Sequence, residues 1–299
     1  MLLKIILTLL LINGTGNVYF ADRPFFNVEK IDEAAAPQRI NMENVGVDVA
    51  AKRFVAIDVN SGKLLLQKDS NLRQPIASIT KLMTTLVILE MKPDWNSEVE
   101  MQKADETVGA FPHLYRGEQV KFVDLWKAAL VASDNNAIKA MIRGLGMSEV
   151  DFVAKMNVKA ETFEMINSDF ADPTGLSELN LSTAQDVARL IHFAMQKNEI
   201  RESVLQPSYS FRILNNNKFR KINNTDILLG SFLNDKKHGY ALIGGKTGYL
   251  FEAGYCLGVE IENNHRAVAI VVLDSPNIGQ RFQDVKVIAD WVYSNYAWQ

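Results

Sequence analysis

Cysteine is almost missing from this 299-residue chain: Cys256 stands alone, so no intramolecular disulfide can form and no cysteine-based zinc site can be assembled. Histidine occurs at four scattered positions with no His-x-x-x-His pair, and neither a metal nor another cofactor is expected. Basic runs are missing as well. No stretch of Lys and Arg exceeds two residues, and 32 Lys and Arg against 35 Asp and Glu leave a formal net charge of −3. A phosphate backbone calls for concentrated positive charge, so a nucleic-acid partner is not expected. Glycine (17) and proline (8) are too few for a collagen-like or low-complexity chain. What is present, 47% hydrophobic and 22% charged residues, suits a globular chain that buries a large core.

Long apolar runs are also lacking, with one short exception at the start. Lys4 precedes the mostly apolar run from Ile5 to Ile12, and Asn13-Gly14-Thr15-Gly16 follows it. A basic start, an apolar stretch and a small-residue region make a secretory signal peptide, and the run is about half of the roughly 20 residues a spanning helix needs. Residues 1–21 are therefore expected to be a signal, cleaved after Gly16 or Ala21, with the mature protein outside the cytoplasmic membrane and without a stable membrane anchor. From Asp22 to Val45 the sequence is aperiodic, with Pro24, Pro37 and Ala34-Ala35-Ala36, and reads as a linker or poorly anchored N-terminal arm. Residues 46–299 read as a single domain.

Within that domain, Phe54 to Val59 and Lys63 to Gln67 are β-prone runs separated by Asn60-Ser61-Gly62, which predicts a hairpin. Ser78 to Met91 is apolar nearly all round and predicts a central buried helix. The middle, from about 121 to 200, has helical periodicity, notably from Phe122 onward, from Val150 to Met156 and from Thr183 to Met195. Gly254 to Glu262 and Arg266 to Asp274 predict a second hairpin, and Arg281 to Tyr296 a closing helix. Strands at both ends with helices between them predict an α/β (α+β) fold: an antiparallel sheet from both chain ends, flanked by helices, with a mainly helical region inserted.

Three short elements stand out on this layout: Ser78-Ile79-Thr80-Lys81 opening the buried helix, Ser133-Asp134-Asn135 after a helical segment, and Lys246-Thr247-Gly248 before the late hairpin. Taken singly, Ser78 is an ordinary helix cap, Lys81 a surface lysine, and the others a turn and a strand end. Together and in this order they can do chemistry. Residues three apart share a helix face, so the Lys81 amine can sit beside the Ser78 hydroxyl. An amine in apolar surroundings, near a second cation such as Lys246, is pushed toward its neutral form and can act as a base. The Ser78 N–H at the helix start can stabilise an oxyanion. An edge strand carrying Lys246, Thr247 and Gly248 can pair with an extended peptide and hold its terminal carboxylate.

The trio is similar to the signature of penicillin-binding proteins and serine β-lactamases. The match extends further. Pro75-Ile76-Ala77-Ser78-Ile79-Thr80-Lys81-Leu82-Met83-Thr84, Asp172-Pro173-Thr174-Gly175-Leu176-Ser177 with Asn180-Leu181-Ser182-Thr183-Ala184-Gln185-Asp186, and Gly245-Lys246-Thr247-Gly248-Tyr249 with Ala253-Gly254-Tyr255-Cys256 resemble the D-alanyl-D-alanine carboxypeptidase and endopeptidase family of low-molecular-weight penicillin-binding proteins. The resemblance runs from about Val47 to the C-terminus and implies the DD-peptidase/β-lactamase-like fold. It implies that Ser78 attacks a D-Ala-D-X carbonyl with Lys81 as general base, and that Ser133 relays a proton to the leaving amine. Asn135 would orient the substrate amide, Lys246 and Thr247 would hold the carboxylate, and the N–H groups of Ser78 and Tyr249 would form the oxyanion hole. The implied partners are peptidoglycan stem peptides and cross-links, with β-lactams as covalent inhibitors, in the periplasmic or cell-wall space of a bacterium. Asn136 departs from the family, which commonly has an acid there, and is expected to be structural. Cys256 resembles a buried strand position rather than a nucleophile.

Class A β-lactamases also place a glutamate four residues before an Asn; here Leu176 holds that position before Asn180, and Glu178 falls inside the peptidase segment. A dedicated β-lactamase is thus the second reading, and a non-catalytic secreted binder of cell-wall peptides or β-lactams the third. About fifty residues follow Gly248, room for a hairpin and a helix but not for a C-terminal β-domain. That layout resembles the soluble endopeptidase branch, which cuts D-Ala–diaminopimelate cross-links, more than the anchored carboxypeptidases.

Overall fold

The computed structural model of the chain describes residues 36–44, 46–108 and 112–298; the expected signal 1–21 and most of the expected arm lie outside them. The N-terminal part holds β1 (Gln38–Arg39), β2 (Arg53–Asp58), β3 (Leu64–Lys68) and β4 (Gln74–Pro75), then a 3-10 turn at Ala77–Ile79 and α1 (Thr80–Glu90). The middle holds β5 (Glu98–Glu100), β6 (Gln119–Lys121), α2 (Phe122–Val131), α3 (Asn135–Gly144), α4 (Glu149–Thr162), β7 (Leu181–Ser182), α5 (Ala184–Met195) and α6 (Asn198–Val204). The C-terminal part holds β8 (Ser208–Arg212), β9 (Phe219–Asn223), β10 (Tyr240–Leu250), β11 (Gly254–Asn263), β12 (Arg266–Ser275), α7 (Gln280–Asn295) and β13 (Tyr296–Ala297).

The main sheet is antiparallel, in the order β10-β11-β12-β2-β3, so β2 and β3 from one end of the chain join three strands from the other. Period-two alternation covers both faces of its centre. Val55 and Ile57 of β2 and Ala269, Val271 and Leu273 of β12 face the core shared with α1 to α5. Phe54, Ala56, Val268, Ile270 and Val272 face the core shared with Phe282, Val285, Ile288 and Val292 of α7. A strand buried on both faces is apolar at successive positions, which is why these runs were so plain in the sequence. The β11–β12 turn places Asn264 and His265 at φ 48° and 65°, the left-handed pair that matches the twist of a two-residue hairpin.

The segment read as a loose arm is tied down where it is described. β1 pairs with β13, and the Lys63 amine donates to the Pro37 carbonyl at 2.7 Å. No local pattern foretells a pairing between residues some 260 positions apart. The buried helix also begins later than expected: Ser78 sits in the 3-10 turn, with Ala77 at φ 49°, and α-helical geometry starts at Thr80. The β8–β9 hairpin and the long strand β10 complete the picture. Among the described residues no helix is long and apolar enough to cross a membrane.

One buried carboxylate locks the two chain ends together. Asp284 of α7 is 1% exposed and accepts from the Ala50 and Ala51 N–H groups at 3.1 and 2.9 Å, the Ser275 hydroxyl at 3.0 Å and the Gln280 amide at 2.9 Å. Asp284→Ala leaves the buried Ala51 N–H and Ser275 hydroxyl without their acceptor. It is expected to cost about 3 kcal/mol, read as a lowered urea midpoint at unchanged m-value.

Candidate active site

Ser78 lies where three backbone segments converge. β4 pairs with β7, Gln74 opposite Ser182, and the Ile76 N–H donates to the Asn180 carbonyl at 3.1 Å, which fixes the chain just before the 3-10 turn. On one side stands Gly175, at φ 87°, where a Cβ would fall 2.2 Å from the Ala77 carbonyl oxygen and 2.9 Å from the Ser78 nitrogen. On the other stands Gly248 of β10, where a Cβ would fall 2.9 Å from the Ile76 carbonyl oxygen and 3.2 Å from the Ser78 nitrogen. Only glycine lets both backbones approach the serine this closely. β10 is an edge strand. The Gly248 carbonyl accepts from Arg281, which also reaches the Cys256 carbonyl on β11. It therefore points to the β11 side, and strand alternation turns the Tyr249 N–H to the open edge.

Lys81 is fully buried, one turn along from Ser78. Its Nζ stands 3.0 Å from Ser78 Oγ, 2.5 Å from Asn135 Oδ1 and 2.7 Å from the Thr174 carbonyl oxygen. Burial pushes its pKa down to about 7, with Asp172 and Asp134 pulling weakly the other way. A neutral amine has two N–H donors and one lone pair. The two carbonyl-type oxygens can take the donors, which leaves the lone pair for the Ser78 proton. The second-cation effect expected on Lys81 falls elsewhere: Lys246 is held well below the ordinary lysine value by burial, then by the charges of Lys81 and Arg281, against Asp226.

The Thr174 carbonyl is held in place by a small loop that the sequence offered only as a family-like block. Asp172 accepts from the N–H groups of Thr174, Gly175 and Ser177 at 2.6, 2.9 and 2.7 Å. Buried Asn180 bridges it, donating to Asp172 and to Thr80 Oγ1 at 3.1 Å each and accepting from the Ala171 and Asp172 N–H groups. Glu178, the candidate β-lactamase acid, is exposed in this loop.

Ser133 occupies the gap between α2 and α3 at φ 61°, a costly conformation for serine. Its neighbour Asp134 pins it there, donating its N–H to the Ala128 carbonyl and capping α3 through the Ala137 N–H at 2.9 Å. The Lys246 amine donates to Ser133 Oγ at 2.9 Å, which links β10 to the helical side of the cleft. Asn136 accepts from the Thr107 N–H and hydroxyl at 2.9 and 2.8 Å and so braces a neighbouring loop, a structural use. Sequence reading missed the layer behind Lys246. Thr225 and Thr247 hydroxyls meet at 2.6 Å, and buried Asp226, its pKa raised by burial to about 6, is the anion that offsets Lys246 and Arg281. No short-range signal marks these residues, since they reach the site through a loop. Cys256 is buried, and burial pushes its thiol up to about 12, which removes it as a nucleophile.

Known proteins resemble this chain over most of its length. A family model described as D-alanyl-D-alanine carboxypeptidase matches residues 37–277. The D-alanyl-D-alanine endopeptidase of Pseudomonas aeruginosa is 31% identical over 247 residues, 82% of this chain and 78% of that protein. Among solved structures, the Streptomyces K15 DD-transpeptidase superposes with a TM-score of 0.76 at 26% identity, covering 83% of this chain and 99% of that one. Penicillin-binding protein D2 of Listeria monocytogenes, solved in a cefotaxime-bound form, gives a TM-score of 0.71 at 25% identity over the same shares.

Two outcomes follow from the site. A base must be unprotonated to work, so acylation of Ser78 by a β-lactam is expected to fall as pH drops through about 7 and to level off above it, followed by stopped-flow from pH 5 to 9. A flat profile would remove Lys81 from the base role. Gly175→Ala forces the Ala77–Ser78 turn to move and is expected to slow acylation by roughly 100-fold.

Proposed function

The chain belongs to the D-alanyl-D-alanine carboxypeptidase family, and we propose that it opens D-Ala-D-X bonds of peptidoglycan through an acyl-enzyme on Ser78. It is a serine hydrolase of the D,D-peptidase type. The observation that carries the residue-level reading is the buried Lys81 amine, 3.0 Å from Ser78 Oγ and engaged on its other sides by Asn135 and Thr174. Lys81 takes the Ser78 proton as Oγ bonds to the scissile carbonyl carbon. The oxygen, now negative, is met by the N–H groups of Ser78 and Tyr249. As the C–N bond breaks, the proton held by Lys81 is relayed through Ser133 to the leaving amine, so that Lys81 is neutral again, and Asn135 orients the substrate amide. Water then splits the ester and restores Ser78.

The carboxylate of the leaving residue fits at Lys246 and Thr247, with Gly248 leaving room for backbone approach. A substrate carboxylate there favours the charged form of Lys246, whose own surroundings disfavour it. A penicillin presents a similar carboxylate beside a strained amide and acylates the same serine. Asp172, the acid of the neighbouring loop, is occupied by its own loop's N–H groups. It is not free to activate water as a β-lactamase glutamate does, so the penicillin adduct persists. This argues for a D,D-peptidase over a β-lactamase, and the complete set of reacting side chains argues against a non-catalytic binder.

Within the family, endopeptidase action on cross-links is the favoured reading, in line with the Pseudomonas aeruginosa relative, with carboxypeptidase action open to the same site. A single D,D-peptidase unit over residues 46–299, exported by the segment 1–21 and acting on the bacterial wall, completes the proposal.

The test is a mass-spectrometric digest of pentapeptide monomer and cross-linked dimer muropeptides, with a penicillin-treated control. Penicillin-sensitive dimer splitting is expected. Release of terminal D-Ala alone would make the protein a carboxypeptidase, and no cleavage would favour a binder. Lys81→Ala is expected to abolish penicillin acylation, read by intact mass, with unchanged circular dichroism. Acylation at the wild-type rate would exclude Lys81 as the base.

A further inference from the structure

One side chain near the cleft has a buried polar atom that the fold leaves unpaired. His113, in the segment before β6, is half-buried, and its Nδ1 is buried without a hydrogen-bond partner. That nitrogen faces Asp134, whose side chain is fully withdrawn from water, at 3.5 Å from Oδ2. A bare lone pair there would be repelled by the carboxylate. A proton on Nδ1 turns the same contact into a charge-assisted hydrogen bond, completed by a shift of a few tenths of an ångström. The ring is held at this post by its own backbone. The His113 N–H donates to Asp134 Oδ2, and its carbonyl accepts from Arg220 of β9 at 2.7 Å. Arg220 in turn donates to Glu118 at 2.7 Å and lies over the Tyr115 ring at 5.1 Å. Asn136 of α3 donates to the next carbonyl, that of Leu114, at 3.4 Å.

Asp134 is the residue that shapes the Ser133 turn. Its N–H bonds the Ala128 carbonyl at 3.1 Å, and its Oδ1 caps α3 through the Ala137 N–H at 2.9 Å. Those contacts keep Ser133 at φ 61°, with Oγ 2.9 Å from the Lys246 amine. Oδ1 is thus committed to the helix and Oδ2 to the His113 side. Lys81 and Arg220 act on this carboxylate only through longer-range charge. Its ion-pair partner among the described residues is the His113 imidazole. A buried carboxylate is costly without such a partner, and a strained serine beside it depends on its staying in place.

The structure assigns His113 as a positioning residue for the proton relay: a proton on Nδ1, donated to Asp134, braces the turn that aims Ser133 Oγ at the leaving nitrogen. This rests on the D,D-peptidase reading of the cleft and on Ser133 as the relay. His113 touches no reacting atom, so it acts only on the step in which Ser133 takes part. That step is needed when an amine leaves, because the amine must take up a proton. A thiolate leaves without one.

The test compares an N-acylated D-Ala-D-Ala peptide with its thioester analogue, in which thioglycolate replaces the leaving D-alanine and keeps the carboxylate. His113→Phe is expected to lower kcat/KM for the peptide about 30-fold and to leave the thioester within about twofold. His113→Asn, whose side-chain N–H can reach Asp134, is expected to stay within about threefold of wild type on both substrates. A His113→Phe protein that loses both activities equally, or neither, would overturn the assignment, as would a His113→Asn protein that loses as much as His113→Phe. The wild-type protein gives a reading that needs no variant to fold: with ¹⁵N-labelled histidine, the NMR spectrum is expected to show a proton on His113 Nδ1, and a bare Nδ1 would overturn the proposal. Ser133→Ala serves as the benchmark and is expected to be selective for the peptide in the same way. Equal slowing of both substrates by Ser133→Ala would overturn the relay and the His113 assignment with it. A wild-type protein that cleaves neither substrate and forms no penicillin adduct would overturn the D,D-peptidase reading itself.

Discussion

A single buried amine organises this molecule. Lys81 has no water to solvate a charge, so its neighbours must satisfy it hydrogen bond by hydrogen bond, and those neighbours come from distant parts of the chain: Ser78 from its own turn, Asn135 from the start of α3, and Thr174 from the loop before β7. The arrangement has two consequences at once. Burial lowers the affinity of the amine for its proton, which is what a base at neutral pH requires. The same burial makes each contact costly to lose, since an unmatched polar group in this position has no solvent to turn to.

The rest of the fold can be understood as support for that convergence. The main sheet is covered on both faces, and its edge strand β10 delivers Lys246 and the glycine that lets the strand lie against the Ser78 turn. The loop from Asp172 to Asn180 is a self-satisfied polar unit whose carboxylate consumes its own N–H groups, and its product is one correctly placed carbonyl. Ser133 is kept in a left-handed conformation by Asp134, which the adjacent helix uses as its cap. Strain at the site is thus borne by ordinary structural contacts nearby.

Charge follows a similar division. Lys81, Lys246 and Arg281 are all withdrawn from water near one cleft, and Asp226 is the buried anion set against Lys246 and Arg281. Arg281 donates from Nη1 to the Gly248 and Cys256 carbonyls and packs its faces on Tyr255 and Phe282, so it supports β10 from behind. Lys246 faces the cleft, where burial and the neighbouring cations disfavour its charged form. An anion placed beside such an amine would favour the charged form and gain a charge-assisted hydrogen bond from it.

The sequence alone determined the elements whose cause is local. Alternating or continuous apolar runs mark β2, β11 and β12, the two left-handed residues Asn264 and His265 suit a tight hairpin, and the three-residue spacing of Ser78 and Lys81 puts amine and hydroxyl on one face. The order of the three motifs also carried the family, because few chains place them so by chance. What only the tertiary structure decided is everything that depends on burial or on residues far apart: that Lys81 is depressed by desolvation rather than by Lys246, that Thr174, Thr225, Asp226 and Arg281 serve the site, and that β1 is pinned by β13. Periodicity and capping are properties of residues two to four positions apart, and the sequence displays them directly. Solvent exclusion and cross-chain hydrogen bonds exist only once segments separated by tens to hundreds of residues have packed together, so no local pattern contains them.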